Sequence, residues 1–175
     1  EGTLDHDLCK TIRPGIEVHR VQAARILTLG KKRIIGDLGL RAMFYMYRKA
    51  REIISTQVID FIWIPIPSFY TALLGPMLHF RMGTPYGIDY IDPWVSRLAD
   101  YHSGITSKAW WSQLVARILE PIVVRNASLI TGVSESYYLP TIMRNFKYRP
   151  VHHIGMPYGF DPADHRISIP NLQTP

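Results

Sequence analysis

The stretch "VIDFIWIPIPSFYTALLGPMLHFRMGTPYGIDYIDPWV", Val58 to Val95, decides the fold. It begins with "VIDFIWIPI", which is apolar on both alternating faces, the pattern of a parallel strand covered from both sides. Ser68, a good helix cap, then opens a run to Arg81 that reads as a short helix. Gly83, Thr84 and Pro85 make a turn, and "TPYGIDYI" reads as the next strand. Strand, helix and a second strand in this order call for a crossover connection, the building unit of α/β folds. No charged residue lies between Asp60 and Arg81, so the span could be mistaken for a membrane helix. Pro65, Pro67 and Pro76 argue against that, because each would remove a helical hydrogen bond.

Working outward, the alternation continues on both sides. "GIEVHRVQA", Gly15 to Ala23, has the composition of a strand, and Leu38 to Thr56 reads as a helix. Downstream, "SKAWWSQLVARILEPIVVRNA" is predicted helical, with Pro121 bending it or splitting off its last turn. Trp110 and Trp111 are neighbours there, so one is expected to pack and the other to be partly exposed. "SLITGV" is a strand, Ser134 to Phe146 a helix, and "PVHHIGM" a strand. The expected architecture is an α/β fold with a parallel, doubly wound sheet. Ligands in such folds sit at the carboxyl ends of the strands, which singles out Pro65–Ser68, Asp89–Trp94, Gly132–Glu135 and Met156–Asp161.

The totals suit an ordinary globular domain: 175 residues, 47% apolar, 19% charged, with no repeat or low-complexity tract. Cys9 is the single cysteine, which excludes an internal disulfide and suits a reducing compartment. The opening "EGTLDHDLCK" has neither the basic start nor the apolar centre of a signal peptide. Because it starts with Glu rather than Met, the true beginning is expected upstream.

Charge is concentrated rather than spread. Lys31, Lys32, Arg33, Arg41, Arg48, Lys49 and Arg51 face a single carboxylate, Asp37, and account for the whole net charge of +6. Leu40, Met43, Phe44, Tyr47 and Ile54 recur at helical spacing, with Arg41, Arg48, Lys49 and Glu52 mostly off that stripe. The plain reading is a solvated basic face over a packed apolar one. The sharper reading is a surface for anionic lipid headgroups. Nucleic acid is not expected: no recognition motif accompanies the charge, and the neighbouring aromatics fall on the stripe expected to pack.

Three constellations deserve chemical scrutiny. "TGVSES" places Ser134 between strand and helix, as in a nucleophile elbow, but Ser136 stands where the motif needs its last glycine. Acid and histidine partners downstream would have to come from Asp161 or Asp164 with His152, His153 or His165, too short a stretch for separate triad loops. Ser134 reads better as a helix cap, with Glu135 in the first turn. "DYIDPWV" carries Asp89 and Asp92 on opposite sides of a strand that runs out, and Trp94 as a flat apolar surface of the kind that packs on sugar rings. His152 and His153 point to opposite faces of their strand, and no metal site is expected.

Taken in order, "DFIWIPIPSFYTALLGPMLHFRMGTPYGIDYIDPWV", "EPIVVRNASLITGVSESY" and "IGMPYGFD" resemble the amino-terminal domain of a GT-B glycosyltransferase of the family 4-like, retaining type. The resemblance covers roughly Asp60 to Asp164. It implies that residues 1–165 are an acceptor-side Rossmann-like lobe missing its start, that 166–175 begin a linker, and that a donor-binding lobe lies outside this chain. It implies transfer of a sugar from a nucleotide-sugar donor to a glycan or lipid-linked acceptor, without a metal or resident cofactor, and no activity for this lobe alone. Asp92, Trp94, Ser134 and Glu135 are the implied substrate contacts, and the catalytic residues are left open. Where many relatives have His-Asp, this chain has Ile91-Asp92, so only the aspartate carries over. A cytoplasmic place follows, peripheral to a membrane if the basic helix with Arg41, Arg48, Lys49 and Arg51 meets lipid. A non-catalytic α/β interaction module and a nucleotide-sugar epimerase of the same architecture are the alternatives.

Overall fold

The computed structural model describes residues 14–25, 27–29, 32–96, 107–147 and 149–159, with 27–29 and 32–35 described in backbone alone. Contacts divide the chain into two compact units, Glu1–Val58 and Ile59–Pro175. The boundary falls inside the span expected to form one domain.

In the first unit, β1 (Leu27–Leu29) and β2 (Lys32–Ile35) pair antiparallel, with Leu29 opposite Lys32. Residues 16–25 are irregular, so the strand expected at Gly15–Ala23 is not present. The strand-forming signal lies later, in two apolar and β-branched runs separated by Gly30 and Lys31, a hairpin pattern. Helix α1 spans Leu38–Thr56, as expected. The Asp37 carboxylate caps it by accepting from the Leu40 amide at 2.7 Å. Two reciprocal bonds tie the irregular segment to α1: Ala24 N–H donates to the Arg41 carbonyl at 3.0 Å, and Arg41 Nε donates to the Ala24 carbonyl at 2.8 Å.

The second unit holds a parallel sheet of four strands, β3 (Ile62–Pro65), β4 (Tyr86–Tyr90), β5 (Leu129–Gly132) and β6 (His152–Gly155), in that spatial order. The connections are a 3-10 turn at Phe69–Leu73 with α2 (Leu74–Met82), then α3 (Lys108–Val124), then α4 (Glu135–Asn145). An α/β architecture with a parallel sheet is thus present. The strands advance in one direction with no reversal, so the described strands make one winding rather than the two of a doubly wound sheet.

That order has a physical consequence. Right-handed crossovers that advance one way place every connecting helix on the same side of a sheet. Register sets Ile64, Ile88 and Ile130 in one row and Tyr90 beside Gly132 in the next. Helix α3 reaches this face where the Tyr86 hydroxyl donates to the Val123 carbonyl at 2.7 Å. Helix α4 reaches it where Tyr138 lies against Gly132 and His153. Tyr86, Ile88, Tyr90, Ile130 and Tyr138 are all at 0% exposure. Full burial of an isoleucine such as Ile88 or Ile130 contributes about 1.5–3 kcal/mol. Strand β4 is buried along its whole length, whereas β3, expected to be central, stands at an edge of the described sheet with Trp63 exposed.

Local stops follow the residues. Gly83 closes α2 at φ 77°, a left-handed conformation that favours glycine, and its N–H returns to the His79 carbonyl at 2.8 Å. Ser107 caps α3 by accepting from the Trp110 amide at 3.1 Å. Pro121 does not split α3, which continues to Val124. Arg117, whose carbonyl loses its helical donor to that proline, stands with it on the exposed side, where water can take over. Trp110 is half-buried and Trp111 exposed, their rings edge to face at 5.0 Å, as expected of the pair.

Candidate functional site

Three strands end level with one another. Tyr90 pairs with Gly132, and Gly132 with Gly155. The ladder runs on past the strand ends, with Val133 N–H donating to the Tyr90 carbonyl at 3.3 Å and Met156 N–H to the Gly132 carbonyl at 2.8 Å. Neighbouring strands lie about 4.8 Å apart, so the loops after β4, β5 and β6 leave the sheet within roughly 10 Å of one another. Gly132 permits this closeness: a Cβ there would come within 2.8 Å of the Tyr90 carbonyl oxygen and 3.0 Å of the Tyr138 ring.

Behind these exits lies a cavity of about 750 Å³. The loop after β4 supplies Pro93, Val95 and Ser96, α3 supplies Arg117, Glu120 and Pro121, and α4 supplies Ser136, Pro140, Met143, Arg144 and Asn145. Its size is that of an ordinary small-molecule site. Its wall is mainly apolar, with two arginines and two serines among its polar groups, a mixture able to hold the apolar face of a ring and the oxygens around it.

A buried carboxylate organises that wall. Glu120 is 1% exposed and accepts from Arg144 through Nη2 at 2.8 and 3.0 Å and through Nε at 3.1 Å. Asn145 Nδ2 donates to it at 2.9 Å and Thr141 Oγ1 at 3.2 Å. A carboxylate so fully engaged is a brace between α3 and α4 rather than a free base. The Tyr90 hydroxyl is buried without a partner among the described residues. Burial first, and the Glu120 carboxylate second, push its pKa well above the ordinary tyrosine value. Sequence reasoning passed over this cluster, although Glu120 is the only charge in the run "ILEPIVV" and thereby flagged a buried partner.

The expected contacts divide. Asp92 is exposed at the loop after β4, and Glu135 is exposed in the first turn of α4, so both stand at the strand-end rim. Ser134 has the extended backbone of a cap residue, but its hydroxyl lies 3.0 Å from the Ser136 hydroxyl instead of capping α4. Through Ser136 this pair reaches the cavity wall. Trp94 is different: it is 5% exposed, and its ring is stacked on Phe69 at 5.6 Å and 5°. Its flat face is taken by the protein's own core, so the sugar-stacking surface expected there is not presented. Asp89 faces the other side of the sheet, where its Oδ1 accepts from Thr131 Oγ1 at 2.6 Å, and Trp63 Nε1 donates to the same hydroxyl at 3.3 Å. His152 and His153 take adjacent register positions beside Leu129 and Ile130, hence opposite faces, as expected. Asp161, Asp164 and His165 lie outside the described residues.

Among the described residues no group of three or more His, Cys, Asp and Glu is placed to hold a metal ion. Among the same residues no helix is long and apolar enough to cross a membrane. Comparison with models of known protein families gives no match, and no curated protein matches the chain.

Proposed function

We propose that residues 59–159 form the acceptor-side lobe of a two-lobed, metal-independent glycosyltransferase that moves a sugar from a nucleotide-sugar donor to a glycan or lipid-linked acceptor. The observation that carries this reading is the convergence of the β4, β5 and β6 exits beside a preformed cavity of about 750 Å³. Ligands of open α/β sheets bind outside the carboxyl ends of the strands, and this is the described place where those ends meet a recess. The resemblance of Asp60–Asp164 to GT-B acceptor lobes supports the same location.

In this reading Asp92 accepts a hydrogen bond from an acceptor hydroxyl. Ser134 and Ser136 present hydroxyls at the α4 N-terminus, and Glu135 orients the sugar from the rim. Arg117 and Arg144 favour oxygen-rich or anionic groups within the recess. The second lobe would carry the donor, and closure of the two would bring donor and acceptor together away from water.

The test is binding followed by NMR of the isotope-labelled chain. Mono- and disaccharides and a polyprenyl-phosphate-linked sugar are titrated at millimolar concentration. The expected result is amide shift changes clustered at Asp92, Ser134–Ser136 and Met156–Gly159, abolished by Asp92→Ala for at least one sugar. No change at these positions with any sugar overturns the site. Turnover of a nucleotide sugar by this chain alone overturns the division of labour between two lobes.

A further inference from the structure

The exposed face of α1 differs from what its sequence suggests. Phe44 belongs to the stripe expected to pack, yet it is 62% exposed, and Leu40 is 37% exposed. At 3.6 residues per turn, Leu40, Phe44, Tyr47, Arg48 and Arg51 fall within one sector of about 100°. Phe44 therefore stands between two arginines on the outward side. The Arg48 guanidinium lies 5.7 Å from the Phe44 ring centre, and Arg51 lies 5.7 Å from that of Tyr47. The other two candidate cations on this helix are engaged: Arg41 Nε donates to the Ala24 carbonyl, and Lys49 pairs with Glu52 at 2.7 Å. That contact with Lys49 holds the Glu52 carboxyl below its ordinary range, so Glu52 stays ionised and takes up Lys49's charge locally.

We propose that this face of α1 seats the protein on an anionic lipid surface, with Phe44 and Leu40 entering the headgroup–acyl boundary and Arg48 and Arg51 holding lipid phosphates. Cations flanking exposed apolar side chains on one helical face are what such a surface selects. Charge complementarity is regional as well as local, since residues 31–51 carry seven cations against one carboxylate. The helical face favours lipid over nucleic acid. Single-stranded bases need an open aromatic face to stack on. Phe44 instead has Arg48 over one face of its ring and forms a T-shaped pair with Tyr45 at 5.6 Å and 79°. The aliphatic Leu40 adds depth in lipid and nothing to base recognition. This inference stands independently of the sugar-transfer reading.

The test is flotation of the full chain with mixed phosphatidylcholine–phosphatidylglycerol vesicles and with pure phosphatidylcholine vesicles. Binding is expected with the anionic vesicles only. Combined Arg48→Glu and Arg51→Glu should weaken it at least about tenfold. Phe44→Ser should weaken it by several fold with the charge untouched. Circular dichroism should show α-helix unchanged in both variants. Lys108→Glu, a charge reversal at the exposed start of α3, should retain binding. Equal binding to both vesicle types, binding unaffected by the arginine reversals or by Phe44→Ser, an equal loss in Lys108→Glu, or displacement by an oligonucleotide at lower concentration than by lipid would each overturn the proposal.

Discussion

The two faces of the four-stranded sheet solve the same problem differently. On one face Tyr86, Ile88, Tyr90 and Ile130 are fully buried, with Tyr86 and Tyr90 reached by the helices that connect the strands. On the other, Phe61, Trp63, Ile154 and Met156 are 39–56% exposed, although Thr131 at its centre is at 0% and Asp89 at 8%. The Trp63 indole, hydrogen-bonded to Thr131, and Phe61, set against Gly87, lie across that second face and shelter its middle. The contrast teaches that one-way strand order suffices to cover one side of a parallel sheet only. On the second side, among the described residues, local side chains shelter the middle of the sheet.

The largest expected effect breaks the covered side at its one buried charge. Glu120→Ala removes the partner of Arg144, Asn145 and Thr141 together, and should destabilise the protein by about 3–5 kcal/mol in urea unfolding. A loss below about 1 kcal/mol would mean that α3 and α4 are not braced through this carboxylate. Ile88→Ala, at the buried centre of β4, should follow at about 3 kcal/mol, from lost burial plus the cavity left behind.

Smaller changes sharpen the comparison. Thr131→Val on the opposite face keeps the shape but leaves the Asp89 carboxylate and the Trp63 indole without their shared hydroxyl; about 2 kcal/mol is expected. Tyr86→Phe on the covered face removes one buried hydrogen bond, for about 1 kcal/mol at neutral pH. It should also change the alkaline limb. Burial raises the Tyr86 pKa from 10.0 to about 12, so the folded chain keeps a proton that the unfolded chain releases. In that window the unfolded state binds fewer protons, and stability is full below pH 10 and falls as pH rises towards about 12. Tyr86→Phe should flatten this fall, read as the unfolding midpoint against pH.

Much of the fold could be read from residue patterns, and the failures have distinct causes. Strands β3 to β6 and the helices α1, α3 and α4 fall within the predicted runs, and α2 overshoots its run by one residue, because apolar stretches bounded by Gly, Pro and Ser carry both their period and their limits. The segment "GIEVHRVQA" failed because strand composition does not supply a pairing partner, and the hairpin beside it has one. At the strand-end rim, Asp92 and Glu135 could be placed from topology alone. Trp94 could not, since nothing in "DPWV" reveals that Phe69, far back in the chain, takes its face. Phe44 failed for a related reason: helical period shows which residues share a side, not which side is covered.

The smallest expected effect bears hardest on the contrast between the faces. Ile154, in β6, is 56% exposed on the open face, directly beside Thr131 in the register. Replacing it by Ser gives up a β-branched apolar side chain in the middle of a strand, the kind of change that costs several kcal/mol where the site is buried. Here little apolar area is withdrawn from water on folding, and a serine hydroxyl remains solvated, so stability should move by no more than about 0.5 kcal/mol. Measured beside Ile88→Ala in the same buffer, the pair reports the two faces directly, one isoleucine on each. A loss for Ile154→Ser as large as that for Ile88→Ala would show that the second face is covered in solution, and the distinction between the faces would be gone.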